Sequence, residues 1–410
     1  MITRLLRSRT RPYVLTILAG VASLTGSFGA YKVVAHLGST SDFNDYSIAR
    51  RLISFLVPLF AFGSGISLPL RISIRPSRRE SLYLSYVYVL AATLVALVLT
   101  LTLTLSPGVW LRSATGGLDG IQTLLLLVTA LSLTHISIVY SYLRGYSRFG
   151  EGALLLSLSH GVFPLVATSF TQVWPLLGIF LWGILNLFVL TFAIRRAGPV
   201  ERVAIPNLRP LLWSSATRVP GDLAFAGLSY LPVLFAANLG SVEESATVAI
   251  FFVMIGVIVA VMSPVSTVLL PHIGSLVSAH GTHAARRYLV ATVLAAVIIA
   301  TAMAVPLLIA PNVVLDILLT PAFASHGWIL VGLTPSIYGL ALFVSSNSVL
   351  SGLQERPMAA YLSMFALIVM VSMLYFGPST ISYLLISADI SFLCLGIGTT
   401  VVSYAMTARS

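Results

Sequence analysis

The chain has 410 residues, 58% of them hydrophobic and 9% charged, with a mean hydropathy of +0.99. A soluble domain carries about 25% charged residues, so this composition excludes a soluble enzyme, a disordered chain and a secreted disulfide scaffold. Lys and Arg total 23 against 12 Asp and Glu, a net charge of +11; in a helical membrane protein such an excess sets orientation, and no nucleic-acid partner is expected.

Continuous apolar runs, punctuated by Gly, Pro and charge, predict twelve membrane-spanning helices. They cover 13–36, 46–70, 81–105, 121–143, 152–171, 175–194, 213–239, 247–270, 288–309, 328–350, 358–376 and 380–405. The runs do not alternate polar with apolar, which excludes a β-barrel.

Arg4, Arg7, Arg9 and Arg11 precede the first run, which is too long for a signal-peptide core. The first span is therefore read as uncleaved, with the N-terminus cytoplasmic. Lys32 falls near its outer end. Arg50 and Arg51 fall about one turn into span two from the same side. A cation inside a span costs about 2.5–3.5 kcal/mol by insertion scales, so it marks a function or a pair. One reading is a cationic wall that holds a phosphate or pyrophosphate, which suits the planar fork of Arg. The other is snorkelling to headgroups, or neutralisation by Asp42 and Asp45.

The loop near 106–120 is the longest on the outer side. Arg144 ends span four among Tyr140, Tyr142 and Tyr146, as an interfacial anchor or a headgroup contact. The polar stretch 195–212 joins two halves. Asp222, four residues after Arg218, reads as an i,i+4 pair or a cation-coupling carboxylate. His272, His280 and His283 fall in one cytoplasmic loop and read as solvated; no metal and no cofactor are expected. Asp389 lies about ten residues into span twelve, near the midplane. It is the first candidate for H⁺ or Na⁺ coupling, with Asn186 or Asn347 as alternative structural partners. Prolines 58, 164, 232, 264, 306 and 335 fall inside spans and should bend them. The lone Cys394 fills space.

With this topology the cytoplasmic segments collect nineteen arginines, and the outer loops only Arg112. Such asymmetry follows the positive-inside rule and puts both termini in the cytoplasm. The halves also repeat. Ala35-His36-Leu37-Gly38-Ser39 matches Ala237-Asn238-Leu239-Gly240-Ser241 at an offset of 202, Pro69 matches Pro271, and Tyr142–Gly145 lies against Val349–Gly352. At that offset Lys32, Arg50 and Arg51 face apolar Leu234, Phe252 and Val253. The expected fold is all-α: two six-helix lobes in a parallel repeat, 1–200 and 213–410, joined by a linker at 201–212, around a central cleft. No phosphate loop, zinc motif or aqueous pair of carboxylates is present, so no catalytic residues and no enzyme are expected.

Two stretches carry a resemblance. Tyr46-Ser-Ile-Ala-Arg50-Arg51 through Pro69, followed by Arg71 and Ser77-Arg78-Arg79, resembles span two of Wzx-type lipid-linked oligosaccharide flippases. Tyr140-Ser-Tyr-Leu-Arg144-Gly-Tyr-Ser-Arg-Phe149 is similar to their span four–five junction. These flippases belong to the multidrug/oligosaccharidyl-lipid/polysaccharide (MOP) exporter superfamily. The resemblance implies a bacterial inner-membrane transporter for an undecaprenyl-diphosphate-linked repeat unit of O-antigen, capsule or exopolysaccharide. It implies alternating access coupled to H⁺ or Na⁺, with Arg50 and Arg51 at the headgroup, and polysaccharide polymerase machinery as a partner. A cation-coupled multidrug or metabolite exporter of the same superfamily remains the alternative, although span one lacks the carboxylate of the drug-exporting relatives. A polysaccharide polymerase or ligase fits the short outer loops least.

Overall fold

A computed structural model describes residues 2–74, 78–105, 120–146, 148–171, 174–197, 212–213, 215–256, 259, 273, 277, 282–318, 320–353 and 358–408. Most of the expected linker, the outer loop 106–119, Pro264, His272 and His280 lie outside them. The described residues are helical almost throughout. Among the described residues nine helices are long and apolar enough to cross a membrane, ten if one bent pair counts as a span. The protein is a multi-pass membrane protein.

The chain forms two compact units, one of Thr25–Ala226 and one of Met1–Leu24 with Gly227–Ser410. The divisions run through α1 (Ile2–Leu37) and α8 (Val219–Leu239). In the first unit follow α2 (Thr40–Ala61), α3 (Ser64–Ile74), α4 (Arg78–Leu105), α5 (Gly120–Gly145), α6 (Phe149–Phe170) and α7 (Pro175–Ala197). Helix α5 is the axis of this unit: α2, α3, α4, α6 and α7 all pack on it. The second unit holds a helix at 242–256, here α9, then α10 (His283–Ile309), α11 (Pro311–Leu318), α12 (Gly327–Gly332), α13 (Thr334–Leu353), α14 (Met358–Phe376) and α15 (Ile381–Ala408). Here α13 and α15 form the core pair, with α10 and α14 packed on them. The pair comes close because both helices carry glycine at the crossing. A Cβ on Gly396 would stand 2.1 Å from the Gly339 carbonyl oxygen.

The repeated Leu-Gly-Ser string has a mechanical meaning. In the first unit Gly38 closes α1 onto Val34 at 2.9 Å, and Ser39 starts α2 through a capping box with Asp42. Ser39 N donates to Asp42 Oδ2 at 2.9 Å, and Asp42 N to Ser39 Oγ at 3.1 Å. In the second unit Gly240 closes α8 onto Ala236 at 2.9 Å. Ser241 N then donates to Glu244 Oε2 at 2.7 Å, and Glu244 N to Ser241 Oγ at 3.1 Å. Each unit thus makes the same helix–turn–helix, and each box satisfies two orphan N–H groups.

Three expected spans are not straight. Span two breaks between α2 and α3, where Phe62 (φ 49°) and Gly63 (φ 69°) adopt the left-handed conformation. Gly63 is required there twice over, because a Cβ would also meet the Ser215 carbonyl oxygen at 2.6 Å. Span ten bends by 52° between the segments Phe323–Gly332 and Thr334–Ser351. In span five a π turn, Ser157–Val162, interrupts α6. Its cause is local: Pro164 follows directly and lacks an N–H, while the Phe163 N–H reaches back five residues to the Leu158 carbonyl. Pro58, Pro232 and Pro306 stay within α2, α8 and α10.

Candidate functional site

Helix α2 starts at Thr40, six residues before the expected edge of span two. Arg50 therefore sits ten residues along the helix, about 15 Å from its capped start at 1.5 Å per residue. It lies nearly three turns past the capped start of α2, a helix that is not among those long and apolar enough to cross a membrane.

Its guanidinium is held in an aromatic collar. The central carbon lies 5.0 Å from the Tyr31 ring centroid, 5.0 Å from Trp182 and 5.8 Å from Tyr46. Tyr31 comes from α1, Tyr46 from one turn earlier on α2, and Trp182 from α7. Nη2 donates to Ser27 Oγ at 2.9 Å, and Nη1 to the Tyr46 hydroxyl at 3.3 Å. Tyr31 and Tyr46 brace one another edge to face at 5.2 Å. Trp182 is fixed in turn, because its Nε1–H donates to the Ser159 carbonyl in the π turn at 2.5 Å. His160 stands edge-on to the same indole at 6.3 Å.

Every partner of Arg50 among the described residues is neutral. Asp42 is committed to the α2 capping box, and neither it nor Asp45 neutralises this cation. The expectation that they might is not met at Arg50. Aromatic faces stabilise a guanidinium from above and below, at about 0.5–2 kcal/mol each, and leave in-plane donors free. Of its five N–H groups, two are spent on Ser27 and Tyr46. The rings themselves are closed to a ligand, with Tyr31 2%, Tyr46 0% and Trp182 4% exposed. What the collar presents is a positive charge with spare donors.

Arg51 is half-buried beside it and shares the Tyr31 neighbourhood; the two guanidinium charges act on each other. Lys32 is exposed and follows Tyr31 on α1, where its carbonyl faces His36 Nδ1 at 3.1 Å. Arg144 stands in the last turn of α5 with its guanidinium 5.8 Å from the Tyr140 ring, apart from the collar.

The two candidate carboxylates stand in different settings. Asp222 lies in the first turn of α8, and its amide donates to the Arg218 carbonyl at 3.0 Å. The Arg218 charge acts on its carboxylate, as the spacing predicts. Asp389 Oδ1 accepts from Ser336 N at 3.0 Å and from Ser336 Oγ at 2.6 Å. It therefore caps the start of α13 beyond the bend. Of the alternative partners, Asn347 accepts from Ser351 and Asn186 donates to the Trp182 carbonyl. The described residues hold no group of three His, Cys, Asp or Glu fit for a metal.

Sequence reasoning found Arg50 and Arg51 but missed Ser27, Tyr31, Trp182 and His160. The one signal for the last was the polar run Ser157–Gly161 in the middle of an apolar span.

No protein-family model matches the sequence, and no curated protein matches it either. The fold does have solved counterparts. An outward-facing multidrug resistance MATE family transporter of the MOP superfamily superposes with a TM-score of 0.68 at 15% identity, covering 97% of this chain and 95% of that one. The inward-facing conformation of such a transporter gives 0.67 at 14% identity, covering 97% and 94%. A MATE structure in complex with MaL6 gives 0.69 at 13% identity, covering 97% and 96%. The chain has the fold of MATE transporters of the MOP superfamily.

Proposed function

We propose that the protein is a flippase for an anionic, lipid-linked oligosaccharide of the undecaprenyl-diphosphate class, working by alternating access in the bacterial inner membrane. The observation that carries this reading is Arg50, a cation well inside α2, braced by rings and opposed by no carboxylate among the described residues. Such a group is costly unless an anion visits it. A diphosphate headgroup cannot cross hydrocarbon with its charge bare, and a forked guanidinium is the side chain best shaped to accept its oxygens. Arg51 adds charge beside it. Lys32 and Arg144 are proposed as weaker headgroup contacts. The flipped repeat unit would feed a surface-polysaccharide polymerase.

Coupling to H⁺ or Na⁺ belongs to the same proposal, with Asp389 and Asp222 as the carboxylates concerned. Asp389 has one oxygen already engaged by Ser336, so a cation there would compete with a helix cap.

A second reading is a cation-coupled multidrug exporter, the activity that the fold neighbours are named for. Against it stands the collar itself, since an aromatic cage suited to a cationic drug is already filled by Arg50. Flipping of a fluorescent prenyl-diphosphate-linked sugar in proteoliposomes separates the two. Arg50→Ala and Arg51→Ala should each slow flipping about tenfold or more, the loss of a charge-assisted hydrogen-bond pair. Wild-type rates in both folded variants, together with efflux of a cationic dye, would favour the exporter.

A further inference from the structure

The π turn of α6 carries a histidine to which the reading above gives no work. A π turn widens the helix and re-aims the side chains around it, and such turns cluster at functional sites. This one is pinned on two sides. On one, Gly161 lies against Gly26 of α1, so close that a Cβ on Gly26 would stand 2.0 Å from the Gly161 carbonyl oxygen. On the other, Trp182 of α7 bonds the Ser159 carbonyl. His160 is therefore held, not loose, between α1 and α7.

Its ring stands steeply across the Trp182 indole, 75° between planes and 6.3 Å between centroids, and the face of that indole carries Arg50 at 5.0 Å. The Arg50 charge acts on the imidazole directly. Among the described residues the ring nitrogens make no hydrogen bond, and the side chain is partly open rather than sealed. An imidazole with unmet nitrogens at membrane depth is costly. One beside a permanent cation, with no acid between them, lacks the obvious structural remedy of an ion pair. Arg50 and His160 thus both bear on Trp182, and a ligand that could engage both is a polyanion with oxygens to give to each.

We propose that His160 is the second ligand of the anion at Arg50, so that the site recognises a diphosphate as two phosphoryl groups, one on the guanidinium and one on the imidazole. This rests on the reading of Arg50 as a headgroup ligand, and it adds specificity: a lipid monophosphate engages one point where the diphosphate engages two.

Farnesyl diphosphate and farnesyl monophosphate, bound to the full-length protein in detergent, are the probes. Wild type should prefer the diphosphate about tenfold or more, the contribution of one extra charge-assisted contact. His160→Phe keeps a ring against Trp182 and removes the donor. It should weaken diphosphate binding about tenfold, leave the monophosphate unchanged and bring the preference to within about twofold. His160→Gln, which keeps an amide donor, should restore part of the preference, and it serves as the variant read if the Phe variant fails to fold. A merely structural histidine would weaken both ligands together. An undiminished preference in either folded variant, or no preference in wild type, overturns the role of His160. Arg50→Ala should lose both ligands; if it binds both as wild type does, the headgroup reading itself fails, whatever His160 does.

Discussion

Replacing Asp389 by Asn should cost little stability, and replacing it by Ala should cost much more. The carboxylate accepts two hydrogen bonds on one oxygen, from Ser336 N at 3.0 Å and Ser336 Oγ at 2.6 Å. Ser336 lies in the first turn of α13, just past the 52° bend, and its N–H is shared between Asp389 and the Leu333 carbonyl, which it reaches at 3.1 Å. Removing the acceptor strands the hydroxyl and leaves the amide on the Leu333 carbonyl alone, at about 1–3 kcal/mol for an unmet buried donor. The lost attraction between a negative charge and a helix N-terminus adds up to about 2 kcal/mol in a partly buried setting. Hydrogen bonds inside membrane proteins average only about 0.6 kcal/mol with a ceiling near 1.7 kcal/mol, because the unfolded chain also finds partners. The lower ends therefore apply: about 2 kcal/mol for Asp389→Ala, about 1 kcal/mol for Ser336→Ala, and less for Asp389→Asn, which keeps the Oδ1 acceptor.

Denaturant titration in mixed micelles reads these values. A double-mutant cycle between Asp389→Ala and Ser336→Ala should show a coupling of about 0.5–1.5 kcal/mol. Equal destabilisation by Asn and Ala would refute the cap, because geometry would then count for nothing. Transport reads the other role. If Asp389 carries the coupling cation, the stable Asn variant loses the dependence of transport on a proton or sodium gradient. If Asp389 only caps α13, that variant transports as wild type does.

Other consequences are simpler. Gly396→Ala places a Cβ 2.1 Å from the Gly339 carbonyl oxygen; it should wedge α13 from α15 and lower stability by about 2 kcal/mol, seen as a fall in melting temperature. Trp182→Phe keeps a ring face for Arg50 but loses the bond to the Ser159 carbonyl, so flipping should fall a fewfold, whereas Trp182→Leu should approach the Arg50→Ala rate. Glu151→Gln removes the exposed Arg148–Glu151 pair at 2.5 Å and should change the melting temperature by no more than a surface pair allows, under about 1 kcal/mol.

Ten of the twelve expected spans match described helices, counting the bent pair as one; they were legible because each is a long apolar run, and a run needs no partner to be recognised. Breaks were not legible, because what holds them comes from elsewhere in the chain. Gly63 bends against Ser215, and the bend before α13 is capped by Asp389 from α15. The start of α2 was misjudged for a different reason. Ser39 followed three residues on by Asp42 is a capping-box signature, yet 37–45 reads as loop if hydropathy alone sets the edge of a span. Acidic caps lower the hydropathy of a helix without ending it. The collar had no sequence pattern at all: Ser27, Tyr31, Trp182 and His160 meet Arg50 from three other helices, and each alone is an ordinary residue of an apolar span. What sequence does carry is the cost of the cation, and that cost singled out Arg50.

Whether Arg50 is more than scaffolding can be tested against the other half of the chain. At an offset of 202, the offset shared by the Ser39 and Ser241 caps, stands Phe252. It is 1% exposed, with its ring 6.1 Å from Phe392 of α15. The equivalent place in the second unit is therefore filled by an aromatic ring against the last helix, and the local fold is satisfied. An arginine at a span centre costs about 2.5–3.5 kcal/mol, and cation–π contacts return about 0.5–2 kcal/mol each. A phenylalanine pays no such penalty and gains about 1.5–3 kcal/mol by burial. On stability alone Arg50→Phe should be neutral or favourable. The expected outcome is a variant that melts no lower than wild type and does not flip the prenyl-diphosphate probe. A loss of more than about 2 kcal/mol, measured by denaturant titration, would show that Tyr31, Tyr46 and Trp182 are arranged to hold a structural cation, and the site would have to be sought elsewhere.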